Sequence, residues 1–268
     1  MMSFAETLLI AWACMAVAMA VLWLVQRRTG DASIVDIGWT FGTGAVAVFL
    51  VTMTSDGDPA RRWLAAAMVA AWSLRLGGYL WRRVRASARE EGRYRYLRDA
   101  LGARAEIGLF VFFHIQAAWA VMFAMPVWAA SEATRGLDWL DAVGVAVWVA
   151  GVLGETVADR QLARFRAAPG RAGEVCDTGL WGWSRHPNYF FEWLQWWGFV
   201  GLGTGSDYWW FTVAGVVVMY VFITRLTGIP YTEKQALRSR GESYRRYRER
   251  VPAFFPRPPV RTAAGSAQ

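Results

Sequence analysis

Apolar residues in this chain come in long unbroken runs, separated by short segments that hold most of the charge. Runs at 4–25, 34–54, 63–80, 106–130, 139–158, 187–204 and 208–228 each approach the roughly 20 residues that an α-helix needs to cross a hydrocarbon core. They predict an all-α integral membrane fold of seven transmembrane helices. The first run lacks a basic leading region, carries Glu6 and is too long for a signal peptide's apolar core, so it reads as a span. Residues 231–250 mix aromatic positions with many charges and predict a short helix near the headgroups, broken or capped at Gly241. No internal repeat, linker or second soluble domain is visible. Residues 1–268 therefore read as one domain, with a disordered tail over about 257–268.

Composition supports the membrane class. The chain is 55% hydrophobic and 15% aromatic, has 17 tryptophans, and its mean hydropathy is +0.21, which is too apolar for an ordinary soluble domain. Its two cysteines, Cys14 in a span and Cys176 in a loop, make neither a disulfide framework nor a metal motif. The net charge of +8 points to topology rather than nucleic acid. Arginines cluster at 82–104, 160–185 and 225–261, and seven spans put all three segments, with Arg27 and Arg28, on one side. The positive-inside rule makes that side cytoplasmic, giving N-terminus out and C-terminus in. Arg61 and Arg62 run against this pattern.

That topology turns the polar residues of the spans into a location. Asp36, Arg75, Tyr79, His114, Gln116, Glu155, Asp159, Asn188, Glu192 and Arg225 all fall in the cytoplasmic half. Charges facing lipid are costly, so these groups predict an inward-facing cavity open to the cytoplasm and closed by apolar helix halves on the other side. A channel or transporter would need polar lining across the midplane. Arg160, Arg164, Arg166 and Arg171 follow span five, and Arg82, Arg83, Arg85 and Arg89 follow span three. Such guanidinium clusters suit either phosphate binding or anchoring on anionic lipid.

The densest signal is Arg185-His186-Pro187-Asn188-Tyr189-Phe190-Phe191-Glu192, which holds one of two histidines and the only asparagine. Pro187 suits a first helical turn, and Asn188 and Glu192 then share one face. Polar groups at the mouth of a membrane helix read first as a ligand site; the plainer reading is a capped helix with its arginine at the headgroups. Gly201-Leu202-Gly203-Thr204-Gly205 has no strand before it and lies at the far face, so it is no dinucleotide loop. Metal-ligand spacing is absent.

From Gly154-Glu155 through Asp159, Arg164-Phe165-Arg166, Pro169-Gly170 and Gly179-Leu180 to Asn188-Tyr189-Phe190-Phe191-Glu192, the chain resembles the steroid 5α-reductase C-terminal family (3-oxo-5α-steroid 4-dehydrogenase C-terminal-like). Over nearly its full length it resembles the bacterial DUF1295-type membrane proteins grouped with them. The resemblance implies a multi-pass reductase, in bacteria of the inner membrane, whose active site opens to the cytoplasm. It would use NADPH to reduce the C=C bond of an apolar enone, most typically a 3-oxo-Δ4-steroid to its 5α-dihydro product. It implies cofactor contacts from Arg75, Arg83, Asp159, Arg166, Asn188, Glu192, Arg225 and Tyr231. Asn188 and Glu192 would orient the nicotinamide carboxamide, and Asp36, Tyr79 and Glu192 would carry the catalysis. Asp36, Trp39, Trp72 and His114 would line a lipophilic substrate drawn from the bilayer; neither metal nor nucleic acid is implied. Glu155 stands where the family usually has asparagine, Trp72 near a family tyrosine, and Tyr231-Thr232-Glu233 lacks its histidine-rich run. Arg185-His186-Pro187-x-Tyr189 and the segment from Glu242 to Pro256 also resemble isoprenylcysteine and phospholipid methyltransferases, so an S-adenosylmethionine-dependent enzyme is the alternative.

Overall fold

The computed structural model describes residues 3–87, 89–171 and 173–258. Its elements are α1 (Phe4–Thr29), α2 (Ile34–Thr54), α3 (Pro59–Ala86), α4 (Gly92–Leu101), α5 (Ala105–Ser131), α6 (Trp139–Ala167), α7 (Pro187–Leu202), α8 (Trp209–Val221), a π-helical turn (Phe222–Leu226) and α9 (Ile229–Arg250). No strand occurs among the described residues. The expected tail lies mostly outside them, although Arg257 still donates its backbone N–H to Trp183 O at 3.0 Å.

Helix ends follow local chemistry. Ser3 and Glu6 cap α1 reciprocally, and Gly30 closes it in the left-handed conformation at φ 71°. Asp58 accepts from Arg61 N at 3.0 Å, and Pro59 opens α3. In α9 the helical dihedrals break at Gly241 (φ 53°, ψ −122°), the position marked by the sequence.

Five segments are long and apolar enough to cross a membrane: Phe4–Thr29, Ile34–Thr54, Gly92–Ser131, Trp139–Ala167 and Trp209–Arg250. The other two expected spans are helical but differ in kind. The run at 63–80 lies inside α3, whose arginines at 61, 62, 75, 82, 83 and 85 dilute its apolar character. The run at 187–204 is α7, of only 16 residues, about 24 Å at the α-helical rise.

The chain forms two compact units, Met1–Asp141 with Phe199–Gly215, and Ala142–Gly198 with Val216–Gln268. In the first, α2 packs on α1, α3 and α5. At one end of this unit Arg61, fully buried, uses all five guanidinium donors. Its Nε and Nη2 reach the Asp141 carboxylate at 3.0 and 2.7 Å. The remaining donors reach the carbonyls of Ala133 (3.0 Å), Arg135 (2.6 Å) and Gly136 (3.2 Å). Arg135 joins the same carboxylate at 2.8 Å and Thr204 O at 2.7 Å. Arg61 is therefore a buried structural cation, which removes it from any count of topology-setting surface charge.

Replacing Arg61 with methionine keeps much of the side-chain volume but leaves the carboxylate with fewer donors and the carbonyls of Arg135 and Gly136 unpaired; Ala133 O keeps the Asp58 N–H. The expected loss is about 3–5 kcal/mol, read as a lower thermal midpoint of the detergent-purified protein. Arg61→Lys should recover only part of it, because an ammonium has three donors. A methionine variant melting with the wild type would show the cluster to be dispensable.

Candidate functional site

In the second unit, the turn before α7 is built against α6. Gly179 adopts φ +60°, and a Cβ there would stand 2.7 Å from the Gln161 amide. That closeness lets Leu180 N donate to Gln161 Oε1 at 3.0 Å, and Trp181 Nε1 donates to Ala158 O at 3.0 Å. Only glycine meets both demands at position 179.

Arg185 does not face an open site. It is 9% exposed, and its Nε donates to Glu233 Oε1 at 2.6 Å. Its Nη1 donates to Val251 O at 2.5 Å and Arg248 O at 3.1 Å. Its backbone N–H donates to Pro252 O at 2.9 Å. Ser184 Oγ donates to Phe254 O at 2.9 Å, and Tyr247 OH to Trp181 O at 2.5 Å. Neither sequence reading of this arginine, ligand contact or headgroup anchor, describes its position. It is a clamp binding the start of α7 to α9 and the segment after it. Glu233 is the partner that sequence reasoning missed; 48 positions separate it from Arg185, beyond any local pattern.

His186 is buried, stacks on Tyr189 at 5.5 Å, and holds Nε2 3.5 Å from Glu233 Oε1. Burial lowers its proton affinity, against the pull of Glu233. Burial alone would raise the Glu233 carboxyl, but the His186 and Arg185 contacts outweigh it and hold the group at about 2.

Behind this clamp, α6 and α7 meet along a close seam. A Cβ on Gly151 would stand 2.7 Å from Gln195, and one on Gly154 would stand 2.3 Å from the Phe191 ring. The glycines bring two polar rungs together. Asn188 Nδ2 donates to Asp159 Oδ1 at 3.3 Å, and Gln195 Nε2 donates to Glu155 Oε2 at 3.5 Å. Asp159, Glu155 and Gln195 are buried, and Asn188 and Glu192 are half-buried. Asn188 Oδ1 and Gln195 Oε1 are inaccessible to solvent and accept from no group. Asp159 and Asn188, named separately as cofactor contacts by the resemblance, are thus direct partners, and Gln195 is a polar residue that the sequence reading passed over. Arg160, Arg164 and Arg166 are exposed on the last turns of α6, Arg225 is exposed on the π-helical turn, and Tyr231 is half-buried on α9. The two oxygens lacking donors suit a ligand that offers N–H or O–H groups, and the exposed guanidiniums suit phosphates.

The remaining candidates lie in the first unit. Asp36 Oδ1 accepts from Tyr94 OH at 2.8 Å, and Oδ2 accepts from Arg93 Nη2. Both contacts use Asp36 as an acceptor, and Tyr94 was hidden from the sequence reading inside a basic loop. Trp39 stands edge-on to Trp72 (6.3 Å) and Phe123 (5.7 Å). Arg83 pairs with Glu91 and lies 5.8 Å above the Tyr79 ring; Arg75 is half-buried on α3. His114 turns Nδ1 back to Phe110 O on its own helix at 2.8 Å. The loop after α3 is largely stitched by its own acids: Arg98 meets Glu90 at 3.1 Å and Glu106 at 2.9 Å.

The family described as "Protein of unknown function (DUF1295)" matches residues 22–251. The chain belongs to that family. A stretch of 85 residues is 39% identical to an uncharacterized protein of Schizosaccharomyces pombe, over 30% of this chain and 23% of that protein. No solved structure matches.

The clamp has a pH signature. Unfolded, His186 and Glu233 take up protons at their ordinary values of 6.5 and 4.5; folded, both do so only at lower pH. Acid therefore favours release: the stability they contribute is complete above 6.5, begins to fall below it, and declines further between 4.5 and about 2. Hydrogen exchange over 244–254, corrected for intrinsic rate, should show protection at pH 7.5 and its loss in acid. Glu233→Gln should weaken protection at pH 7.5 and flatten the lower part of the profile. Equal wild-type protection at pH 7.5 and pH 3 would exclude this account.

Proposed function

We propose that this family member is an NADPH-dependent integral membrane reductase acting on the C=C bond of an apolar enone, most typically a 3-oxo-Δ4-steroid. The observation that carries the reading is the Asp159–Asn188 rung. Its amide is oriented by a buried carboxylate, so its oxygen is left to accept from a ligand. Arg160, Arg164 and Arg166 stand exposed on the same helix as Asp159. The resemblance to the steroid 5α-reductase family runs through these same positions. When bound, NADPH supplies the hydride; the protein's task is to hold and orient the ring and exclude water. In this reading the guanidiniums take the phosphates bidentately, as lysine could not, and Asn188 and Glu192 orient the nicotinamide. The substrate enters from the bilayer.

The finer topology belongs to the same proposal. Counting α3 and α7 with the five more apolar segments gives seven spans, with the N-terminus out and the C-terminus in the cytoplasm of a bacterial inner membrane. The cofactor then arrives from the cytoplasmic side, where the positive-inside rule places the arginines.

The test is direct binding of NADPH and of S-adenosylmethionine to the detergent-purified chain. NADPH should bind, and Asn188→Ala should weaken it about tenfold, the loss of one hydrogen bond worth about 1.4 kcal/mol. Consumption of the nicotinamide absorbance with 3-oxo-Δ4-steroids would then identify substrates. Binding of S-adenosylmethionine without NADPH would overturn the reductase and make the chain a methyltransferase.

A further inference from the structure

Gln195 is the least exposed polar side chain of the α6–α7 seam, at 1%. Its amide is not free to turn. A carboxylate accepts and cannot donate, so Glu155 Oε2 takes the Nε2 end at 3.5 Å and leaves Oε1 facing away without a donor. Asn188 repeats the arrangement against Asp159. A buried carbonyl left unpaired costs about 1–3 kcal/mol, and here two stand on one helix face.

The register tells what that ligand offers. Asn188, Glu192 and Gln195 follow at spacings of four and three, which keeps them on one face of α7. At 1.5 Å per residue, Gln195 lies about 10 Å further along the helix than Asn188 and only about 4.5 Å beyond Glu192. Glu192 and Gln195 are thus acceptors one turn apart, spaced to share the two hydrogens of a single –NH2 group. Glycines at 151 and 154 bring α6 close along this stretch.

We infer that Gln195 Oε1 accepts a hydrogen bond from the carboxamide –NH2 of the nicotinamide ring, beside Glu192. This makes Gln195, oriented by Glu155, a specificity-determining residue for a carboxamide-bearing cofactor. The inference rests on the NADPH reading above. Glu155 then serves a purpose of its own: it fixes which end of the Gln195 amide faces the ring, a role for which a carboxylate is unambiguous and an asparagine is not.

The experiment compares NADPH with its 3-acetylpyridine analogue, in which a methyl ketone replaces the carboxamide and offers no donor. Binding of each is measured on the full-length, detergent-purified chain. The wild type should prefer NADPH by about tenfold or more. Gln195→Leu should narrow that preference to the share carried by Glu192, mainly by weakening NADPH. A packing role alone would lower both affinities and leave their ratio unchanged, and that result would overturn the inference while the reductase reading stands. A wild type that binds both dinucleotides equally would overturn it too, whatever becomes of the leucine variant's folding. Failure of the wild type to bind either would remove the cofactor reading itself.

Discussion

Hydrocarbon offers no water to a polar side chain, and every part of this protein answers to that constraint. Several of its buried ions are gathered into clusters of paired charges and carbonyls. Arg61 shows the rule at its fullest, with five donors on a carboxylate and three carbonyls. Arg185 shows it again, joined to Glu233 and to two carbonyls of the C-terminal segment. Against such clusters, buried oxygens that lack a donor become informative where they share a helix face. Asn188 Oδ1 and Gln195 Oε1 are two of these, and they sit on one helix face opposite two carboxylates.

The Arg185-His186-Pro187 element is best understood as a division of labour within eight residues. Its first two members look back toward α9, where the arginine and histidine share Glu233. Its later members, Asn188 and Glu192, belong to the helix that follows and to the seam with α6. The clamp therefore does for the site what a second layer of hydrogen bonds does for a ligand set: it fixes the start of α7 so that the amides beyond it point one way.

Glycine supplies the other half of the arrangement. Gly151 and Gly154 let α7 approach so closely that Gln195 and Phe191 occupy the space a side chain would fill. Close approach strengthens van der Waals contact where no hydrophobic force drives helices together. It also shortens the reach between carboxylates and amides enough for both rungs to form.

The all-helical architecture, the apolar segments and the break at Gly241 were legible in the residues alone, because helix length, apolar run and glycine conformation are local properties. Asp159 and Asn188 were each named there only by resemblance, and their contact with one another was not. What the sequence could not disclose were partnerships between distant positions. Arg61 looks like a misplaced surface charge until Asp141, 80 residues away, is found beside it. Asp36 looks like an isolated acid until Tyr94 and Arg93 are found on it. Arg185 looks like a ligand contact until Glu233 is seen to occupy it. Whether a buried polar group is spent on the fold or left for a ligand depends on which other groups reach it, and that is decided by tertiary packing.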